Sequence, residues 1–317
     1  MKLLLSRPLT EAVMAAARSE FDVTLRASTR PMAEAEMLAA LAEYDIVMPT
    51  LGDLFRADIF AAVPDARCRL LANFGVGYNH LDVDAARAAG IAVTNTPGAV
   101  TDATADIAMT LILMSARRAA EGERLVRSGR WEGWHPTQML GLHLTGKTLG
   151  VIGMGRIGQA IARRAQFGFG MRVVWHARTE RDLGELRATR LGSVIDVMAA
   201  ADVVVLAVPG GAATHHLIGA AEIAAMQPHA HLVNISRGDV IDEAALIAAL
   251  REGRIGGAGL DVYEFEPEVP EALRVLDNVT LLPHLGTAAE EVRSAMGMMV
   301  LENARAFRDG RDLPNPV

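Results

Sequence analysis

Six short apolar runs in the second half of the chain are mostly separated by segments of helical composition, such as GQAIARRA and DEAALIAALREG. Short apolar runs bounded by turn residues predict strands, and strands that alternate with helices predict a parallel sheet flanked by helices. The pattern therefore predicts a doubly wound α/β domain. The runs begin at Thr148 and are TLGVIG, RVVWHA, ADVVVLAVP, HLVNIS, GAGLDV and NVTLLP.

A second, smaller α/β domain is predicted in the first part of the chain. A length of 317 residues exceeds what one ordinary core holds, so two domains are expected. Residues 1–97 alternate short apolar strands such as KLLLS and RLLANFG with helical segments, which predicts a small parallel sheet. The helical tail is too short to fold alone, so we expect it to return to this domain. The predicted domains are 1–98 with 286–317, and 99–285.

Composition and charge narrow the class of partner. The formal net charge is −7 and no Lys/Arg cluster stands out, which argues against nucleic acid or an anionic membrane as partner. No long uninterrupted apolar run predicts a transmembrane helix. Cys68 is the single cysteine, which excludes a disulfide within the chain and fits a reducing cytoplasm, the expected location. His215 and His216 lack H-x-x-x-H spacing and a nearby acidic partner, so no metal site is predicted.

The segment TDATADIAMTLILMSARRAAEGERLVRSG predicts one helix of about 26 residues after the first domain. Thr101 or Asp102 is the expected N-cap, and Gly129 follows the expected end. The first half is apolar on nearly every side, which indicates burial between domains or between subunits, with burial inside one domain as the alternative. The length of the helix favours a homodimer through the 101–140 region.

The sequence VIGMGRIG places three glycines in G-x-G-x-x-G spacing, directly after a predicted strand and at the start of a predicted helix. In that context the first glycine permits a tight turn, the second lets the backbone approach a pyrophosphate, and the third allows helix and strand to pack closely. Amides at the helix N-terminus then face the phosphates. A structural turn without a ligand is the alternative. The turn predicts dinucleotide binding by Gly153, Gly155, Arg156, Ile157 and Gly158.

An acidic residue about 20 residues beyond such a turn binds the ribose hydroxyls of NAD. Ala177 stands at this position, and Arg178 follows with a planar fork of donors suited to a phosphate. The replacement favours NADP(H), bound by Arg178 and Thr179, over NAD(H). Two alternatives stay open: Arg178 is merely solvated and the site accepts either cofactor, or Glu180 or Asp182 reaches the ribose.

Three later segments place polar residues at the ends of predicted strands. NISRG carries Arg237, GLDVYEFEP carries Asp261, Glu264 and Glu266, and LLPHLG carries His284. Ligands of doubly wound sheets lie outside the carboxyl ends of the strands, so the three segments converge on one cleft. Each residue alone has a structural interpretation, as an arginine paired with a surface acid, a solvated glutamate or a packed core histidine. Together they indicate a catalytic site beside a dinucleotide.

These motifs resemble the D-2-hydroxyacid dehydrogenase family along the whole chain. The resemblance implies a doubly wound Rossmann dinucleotide-binding domain with a smaller flavodoxin-like α/β substrate domain. Within the family, VTNTPGAVTDATAD and LAVPGGAATHHLI are most similar to the glyoxylate and hydroxypyruvate reductases. The other matching motifs are NFGVGYNHLDV, GKTLGVIGMGRIGQAIARRA, LVNISRGDVIDEAALIAAL, GLDVYEFEP and LLPHLG.

The resemblance also implies roles for individual residues. Arg237 binds the substrate carboxylate and carbonyl oxygen, and His284 donates the proton. Glu266 orients and charges this histidine, since the family's acid directly precedes a proline. Asp261 is assigned to the nicotinamide carboxamide, and Pro209 to the cofactor site.

Two further segments receive roles from the same resemblance. Backbone amides of Val76 and Gly77, in NFGVG, would hold the substrate carboxylate. In related reductases a tryptophan loop reaches the partner subunit's substrate site, and Trp134 in WEGWHPTQML would supply it. The chain departs from the family pattern at Ala177 and Arg178, as in the NADP-preferring members. It also departs in RRAQFGFGM, which carries one residue more than usual before the second strand.

The chemistry of 2-oxo acid reduction requires the same residue types. Transfer of a hydride to the C2 carbonyl develops negative charge on oxygen, which a permanently charged guanidinium stabilises. Histidine delivers a proton near neutral pH, and a carboxylate beside it favours the imidazolium form. The predicted function is NADP(H)-dependent reduction of small 2-oxo acids, glyoxylate or hydroxypyruvate, to D-2-hydroxy acids.

Two alternative functions stay open at this point. The first is another 2-oxo acid on the same scaffold, of the 2-ketogluconate, D-lactate or phosphoglycerate type. No extra cationic groups near NFGVGYNH are available for a phosphorylated substrate, and Arg178 disfavours the NAD-linked lactate enzymes. The second is a dinucleotide-sensing binding protein, because corepressors of this family keep the arginine, glutamate and histidine. Such proteins usually recruit partners through disordered extensions, which the sequence does not predict.

Overall fold

Two parallel β-sheets organise the computed structural model, which describes residues 1–317. The chain divides into unit 1, formed by Met1–Val100 with Thr287–Val317, and unit 2, formed by Thr101–Gly286. None of the helices combines the length and the apolar character that a membrane span requires.

Unit 1 is built on a five-stranded parallel sheet with the strand order 2-1-3-4-5, the order of flavodoxin-like folds. Its strands are β1 (Lys2–Leu5), β2 (Asp22–Leu25), β3 (Ile46–Met48), β4 (Leu70–Ala72) and β5 (Ala92–Thr94). Its helices are α1 (Glu11–Glu20), α2 (Glu34–Glu43), α3 (Ala57–Ala61), α4 (Val83–Ala88) and, from the end of the chain, α12 (Glu290–Arg308).

Side chains of this sheet alternate between two buried layers, because successive residues of a strand point to opposite faces. Leu4 of β1 packs in a cluster with Leu41 of α2. Its neighbours Leu3 and Leu5 pack in the other cluster, with Val300 of α12. The C-terminal helix therefore completes the core on one face of the first sheet.

Unit 2 is built on a seven-stranded parallel sheet with the order 12-11-10-9-6-7-8. This order reverses between strands 6 and 9, and ligands of doubly wound sheets bind at such a reversal. The predicted α/β fold is confirmed. The strands are β6 (Thr148–Ile152), β7 (Arg172–His176), β8 (Ala188–Arg190), β9 (Val203–Leu206), β10 (His231–Asn234), β11 (Gly257–Leu260) and β12 (Val279–Leu281). The helices are α5 (Thr101–Ala116), α6 (Ala119–Arg127), α7 (Arg156–Arg163), α8 (Val194–Ala200), α9 (Ala220–Ala224), α10 (Glu243–Arg251) and α11 (Glu271–Arg274).

Strand β8 is an addition to the six predicted strands of this sheet. Its sequence is Ala-Thr-Arg, and it pairs only with β7 at the edge of the sheet. An edge strand of this kind buries little side-chain surface, so no apolar run marks it in the sequence. The carboxyl end of β8 nevertheless lies beside that of β7, where the cofactor ribose is expected.

The prediction of one long helix after residue 100 is wrong, because α5 and α6 are separate helices. Arg118, between them, has a left-handed backbone with φ of 52°. The carbonyl of Ala116, at the end of α5, accepts a hydrogen bond of 2.7 Å from the N–H of Leu142. Leu111 and Ile112 of α5 lie in the core of unit 2. Burial inside one domain therefore accounts for the apolar character of α5.

The additional residue in RRAQFGFGM coincides with a π-helical segment, Arg164–Gly168, at the end of α7. A π turn holds one residue more than an α turn, so it absorbs an insertion inside a helix. Strand β7 keeps a regular parallel register with β6, in which His176 pairs with Ile152. Ala177 and Arg178 therefore directly follow the end of β7.

Candidate active site

The glycine turn after β6 has a different steric requirement at each of its three glycines. Gly153 has φ of 98°, and a Cβ built on it would lie 2.5 Å from the carbonyl oxygen of Ala207. A Cβ on Gly158 would lie 2.1 Å from the carbonyl oxygen of Gly153. A Cβ on Gly155, the N-cap of α7, would meet no atom within 4 Å. The first and third glycines thus permit close packing of the chain, and the second leaves open space at the helix N-terminus, which fits a pyrophosphate.

The end of β7 presents Arg178 and Thr179 as exposed residues and carries no acidic side chain. The carbonyl oxygen of His176 accepts a hydrogen bond of 2.9 Å from the N–H of Gly153, which joins this strand end to the glycine turn. Glu180 forms an ion pair with Arg190 at 3.8 Å, and Asp182 accepts a hydrogen bond of 3.0 Å from a backbone N–H of its own loop. Of the two acids considered as alternative ribose ligands, Asp182 thus has a hydrogen-bond partner in its own loop, whereas Glu180 has only a long, exposed ion pair.

Pro209 follows β9 on the other side of the switch point and is exposed. Its carbonyl oxygen accepts a hydrogen bond of 2.7 Å from the Thr214 hydroxyl, which closes the loop 209–214 on itself. Because β9 neighbours β6 in the sheet, Pro209 and the glycine turn belong to the same edge.

Arg237 is held in the loop after β10 by the side chain of Asn234. The Asn234 amide donates to the Arg237 carbonyl at 2.8 Å, and its oxygen accepts from the Ser236 hydroxyl at 2.7 Å. A Cβ on Gly210 would lie 2.5 Å from Cγ of Arg237, and a Cβ on Gly238 would lie 1.8 Å from the carbonyl carbon of the facing residue, 263. Both glycines therefore make room for the arginine stem and its loop.

The charge of Arg237 is opposed by burial and supported by two acids. Burial lowers the pKa of Arg237, while the negative charges of Glu266 and Asp239 act in the opposite direction. A guanidinium keeps its proton in proteins, so the side chain carries a permanent positive charge in a partly desolvated position. Such a charge suits the recognition of a carboxylate and of a developing oxyanion.

His284 and Glu266 form the contact on which the chemistry of the site depends. Nδ1 of His284 donates to Oε2 of Glu266 at 2.9 Å, since a carboxylate only accepts. Oε1 of Glu266 accepts from the backbone N–H of Tyr263 at 3.1 Å, so both carboxylate oxygens are held. His284 has a left-handed backbone with φ of 56°, and 32% of its side chain is exposed. The bond at Nδ1 leaves Nε2 as the ring nitrogen that can meet a substrate.

Asp261 is buried and holds the turn that carries His284. Its two carboxylate oxygens accept from the backbone N–H groups of Leu285, at 2.6 Å, and Gly286, at 2.8 Å. Its own carbonyl oxygen accepts from the His284 N–H at 2.9 Å. Burial raises the pKa of Asp261, and the two amides and the charge of His284 act in the opposite direction. No pattern in the sequence indicated this positioning role, and the assignment to the nicotinamide carboxamide stays a prediction.

The expectation that the histidine pair has no acidic partner nearby is wrong. Nε2 of His216 lies 2.9 Å from an oxygen of Glu264, and this hydrogen bond raises the pKa of His216. The ring of His215 stacks on that of His216 with centroids 4.0 Å apart. The direct His216–Glu264 ion pair ties the loop after β9 to the segment after β11. Glu264 and Glu266 thus serve two different histidines.

In unit 1, the loop after β4 is shaped by side-chain amides. Asn73 donates to the carbonyls of Gly75, at 3.1 Å, and Gly77, at 3.2 Å, and Asn95 donates to the carbonyl of Val76 at 2.9 Å. The backbone N–H groups of Val76 and Gly77 have no hydrogen-bond partner in the chain. A loop whose carbonyls are bonded and whose N–H groups are available suits an anion.

At the carboxyl edge of the second sheet, the structure brings four ionisable side chains close enough for their charges to interact. They are Arg237, Asp261, Glu266 and His284. Trp134 does not join a packed site within one chain. It lies in an irregular segment and 78% of its surface is exposed.

A family model and individual relatives both identify the family to which this chain is similar. The model of the "D-isomer specific 2-hydroxyacid dehydrogenase, NAD binding domain" matches residues 109–286. A glyoxylate reductase of Pyrococcus furiosus is 41% identical over 321 residues, which covers 100% of this chain and 95% of the relative. A glyoxylate reductase of Thermococcus gammatolerans is 42% identical over 322 residues, with the same coverage.

Solved structures are similar over the whole chain. An NADPH-dependent glyoxylate/hydroxypyruvate reductase from Sinorhizobium meliloti, in complex with NADP and malonate, has a TM-score of 0.87 at 36% identity and covers 100% of this chain and 96% of its own. A protein from Thermus thermophilus has a TM-score of 0.92 at 40% identity, with 100% of both chains covered.

The doubly wound sheet and its glycine turn, together with the match to the NAD binding domain, define the class of this protein as a nicotinamide dinucleotide-binding oxidoreductase. Within that class, the chain belongs to the D-isomer specific 2-hydroxyacid dehydrogenase family.

Proposed function

We propose that this protein is an NADPH-dependent reductase that converts glyoxylate and hydroxypyruvate to the corresponding 2-hydroxy acids, of the D form where C2 is chiral. The observation that carries the proposal is the 2.9 Å hydrogen bond between His284 and Glu266. The charge of Glu266 also acts on Arg237. The substrate is inferred from relatives that are glyoxylate reductases at 41% and 42% identity.

In the proposed reaction, Arg237 binds the substrate carboxylate and the C2 oxygen, and its charge stabilises the oxygen as negative charge develops there. When bound, the reduced nicotinamide would supply the hydride for C2. Nε2 of protonated His284 gives its proton to the C2 oxygen. Glu266, bonded to Nδ1, keeps the imidazole in position and stabilises its positive charge before the transfer. We assign the N–H groups of Val76 and Gly77 to the substrate carboxylate as well.

For the cofactor, the space at Gly155 and the first turn of α7, with Arg156 and Ile157, would hold the pyrophosphate. Arg178 and Thr179 would bind the 2′-phosphate of NADPH, since a guanidinium fork pairs with phosphate and no acid at the strand end repels it. Pro209 would line the cofactor site, and Asp261 would meet the nicotinamide carboxamide from its place beneath the His284 turn.

We also propose a homodimer through the 101–140 region. Val126, Trp131, Trp134 and Leu140 expose 51–78% of their surface there, so large exposed apolar side chains are concentrated in one stretch of the chain. A second copy would bury them and could use Trp134 at its substrate site. Light scattering coupled to size exclusion would give twice the mass of one chain if this is correct, and the mass of one chain if it is not.

Initial rates with glyoxylate and with hydroxypyruvate, each with NADPH and NADH at matched subsaturating concentrations, test the proposal. We expect turnover of both acids and a clear preference for NADPH. Equal or faster rates with NADH would refute the role given to Arg178 and Thr179. If neither acid is turned over, the substrate is another 2-oxo acid or the protein senses the dinucleotide without catalysis. The 2-oxo acids to assay next are 2-ketogluconate, pyruvate and phosphohydroxypyruvate.

A further inference from the structure

A second arginine lies at the strand end where the cofactor ribose is expected. Arg190 is the last residue of β8 and pairs in register with Trp175 of β7. Its guanidinium carbon lies 5.6 Å from the centroid of the Trp175 ring, within the range of a cation–π contact. Its Nη2 donates to the carbonyl oxygen of Ala177 at 2.9 Å. The side chain is thereby held against the residue that precedes Arg178.

The remaining donors of Arg190 are available to a ligand. A guanidinium has five N–H donors, and the bond to Ala177 uses one of them. The nearest acid is Glu180, whose oxygen lies 3.8 Å from Nη1, too far for a hydrogen bond. The Glu180 side chain is 89% exposed, so this pair is weak. A dianionic phosphate would compete successfully with it for the arginine.

We infer that Arg190 is a second determinant of NADPH specificity, which pairs with the 2′-phosphate together with Arg178 and keeps the Ala177–Arg178 turn in place. The inference rests on the proposed preference for NADPH and adds a residue to it. Arg178, Thr179 and Arg190 are all exposed, but among them only the side chain of Arg190 is anchored, on a ring and a carbonyl. An anchored guanidinium loses less side-chain entropy when it binds, so it contributes strongly to discrimination.

The test is cofactor binding without substrate, measured by calorimetric titration of NADPH and NADH into the wild type and the variants Arg190→Gln and Arg190→Lys. We expect Arg190→Gln to weaken NADPH binding about tenfold, the effect of losing a charged hydrogen bond, and to leave NADH binding within about twofold. Arg190→Lys keeps the charge but not the fork, so it should recover part of the loss. Arg187→Gln is the matched control, because it removes the same charge from an exposed residue just before the amino end of β8, and it should change neither affinity.

The outcomes separate this inference from the proposed function. If the wild type prefers NADPH and Arg190→Gln binds NADPH with the affinity of the wild type, Arg190 has no part in specificity. This inference is then overturned, while the proposed function stands. An equal loss of NADPH and NADH affinity in a variant with unchanged thermal stability would reduce Arg190 to a support of the turn and overturn its role in specificity. A wild type that binds both cofactors equally would overturn the NADPH preference and this inference together.

Discussion

Replacement of Glu266 by glutamine tests the role of His284 with little change in shape. Glutamine can still accept the hydrogen bond that Nδ1 of His284 makes at 2.9 Å, but it lacks the negative charge. Unit charges about 4 Å apart interact by about 1 kcal/mol in water and about 4 kcal/mol at an effective dielectric constant near 20. Since 32% of the His284 side chain and 27% of the Glu266 side chain are exposed, we expect the lower half of that range. A loss of about 1–2 kcal/mol lowers kcat about 5- to 30-fold.

The assay is the steady-state reduction of glyoxylate at saturating NADPH, with kcat and KM determined separately. KM should change little, because Glu266 is not assigned to the substrate. Glu264→Gln is the matched control: it alters the same segment but faces His216, and it should keep kcat within about twofold. A Glu266→Gln enzyme with the kcat of the wild type, or an equal loss in Glu264→Gln, would refute the assignment of Glu266 as the carboxylate that charges His284.

Two further predictions concern the core and the glycine turn. Burial lowers the pKa of His231 to about 4, and its ring bonds the Ser115 hydroxyl at 2.7 Å. His231 takes up a proton near pH 6.5 in the unfolded chain but only near pH 4 in the folded chain. The contribution of neutral His231 to the free energy of unfolding is therefore complete above pH 6.5 and is lost as the pH falls toward 4. When the pH is lowered from 7 to 4.5, the free energy of unfolding, measured with urea, should fall by about 2 kcal/mol less in His231→Gln than in the wild type. An equal fall in both proteins would contradict the reasoning. Gly158→Ala would place a Cβ 2.1 Å from the Gly153 oxygen, so it should cost about 1–3 kcal/mol of stability and also weaken cofactor binding. Gly155→Ala should weaken cofactor binding alone, since its Cβ meets no protein atom, and a drop in its melting temperature as large as that of Gly158→Ala would count against the assignment.

Much of the fold could be predicted because it depends on local patterns. Each of the six apolar runs after Thr148 contains an observed strand, and the glycine spacing marked the turn after β6. Arg237, Glu266 and His284 follow β10, β11 and β12, as the strand-end argument expected. Strand β8 could not be predicted, since a polar edge strand has no apolar run. The break at Arg118 could not be predicted either, because the end of α5 is bonded by Leu142, which lies in a distant part of the chain.

What the sequence by itself determined are the periodicities, the spacing of glycines and the residue types at strand ends, since each is set by neighbours along the chain. The tertiary structure alone decided which side chains meet. Glu264 and Glu266 are two residues apart, yet one pairs with His216 and the other with His284. Arg190 reaches Ala177 only because β8 pairs with β7. These contacts depend on the order of strands in the sheet, which brings together loops distant in sequence, and no local pattern encodes that order.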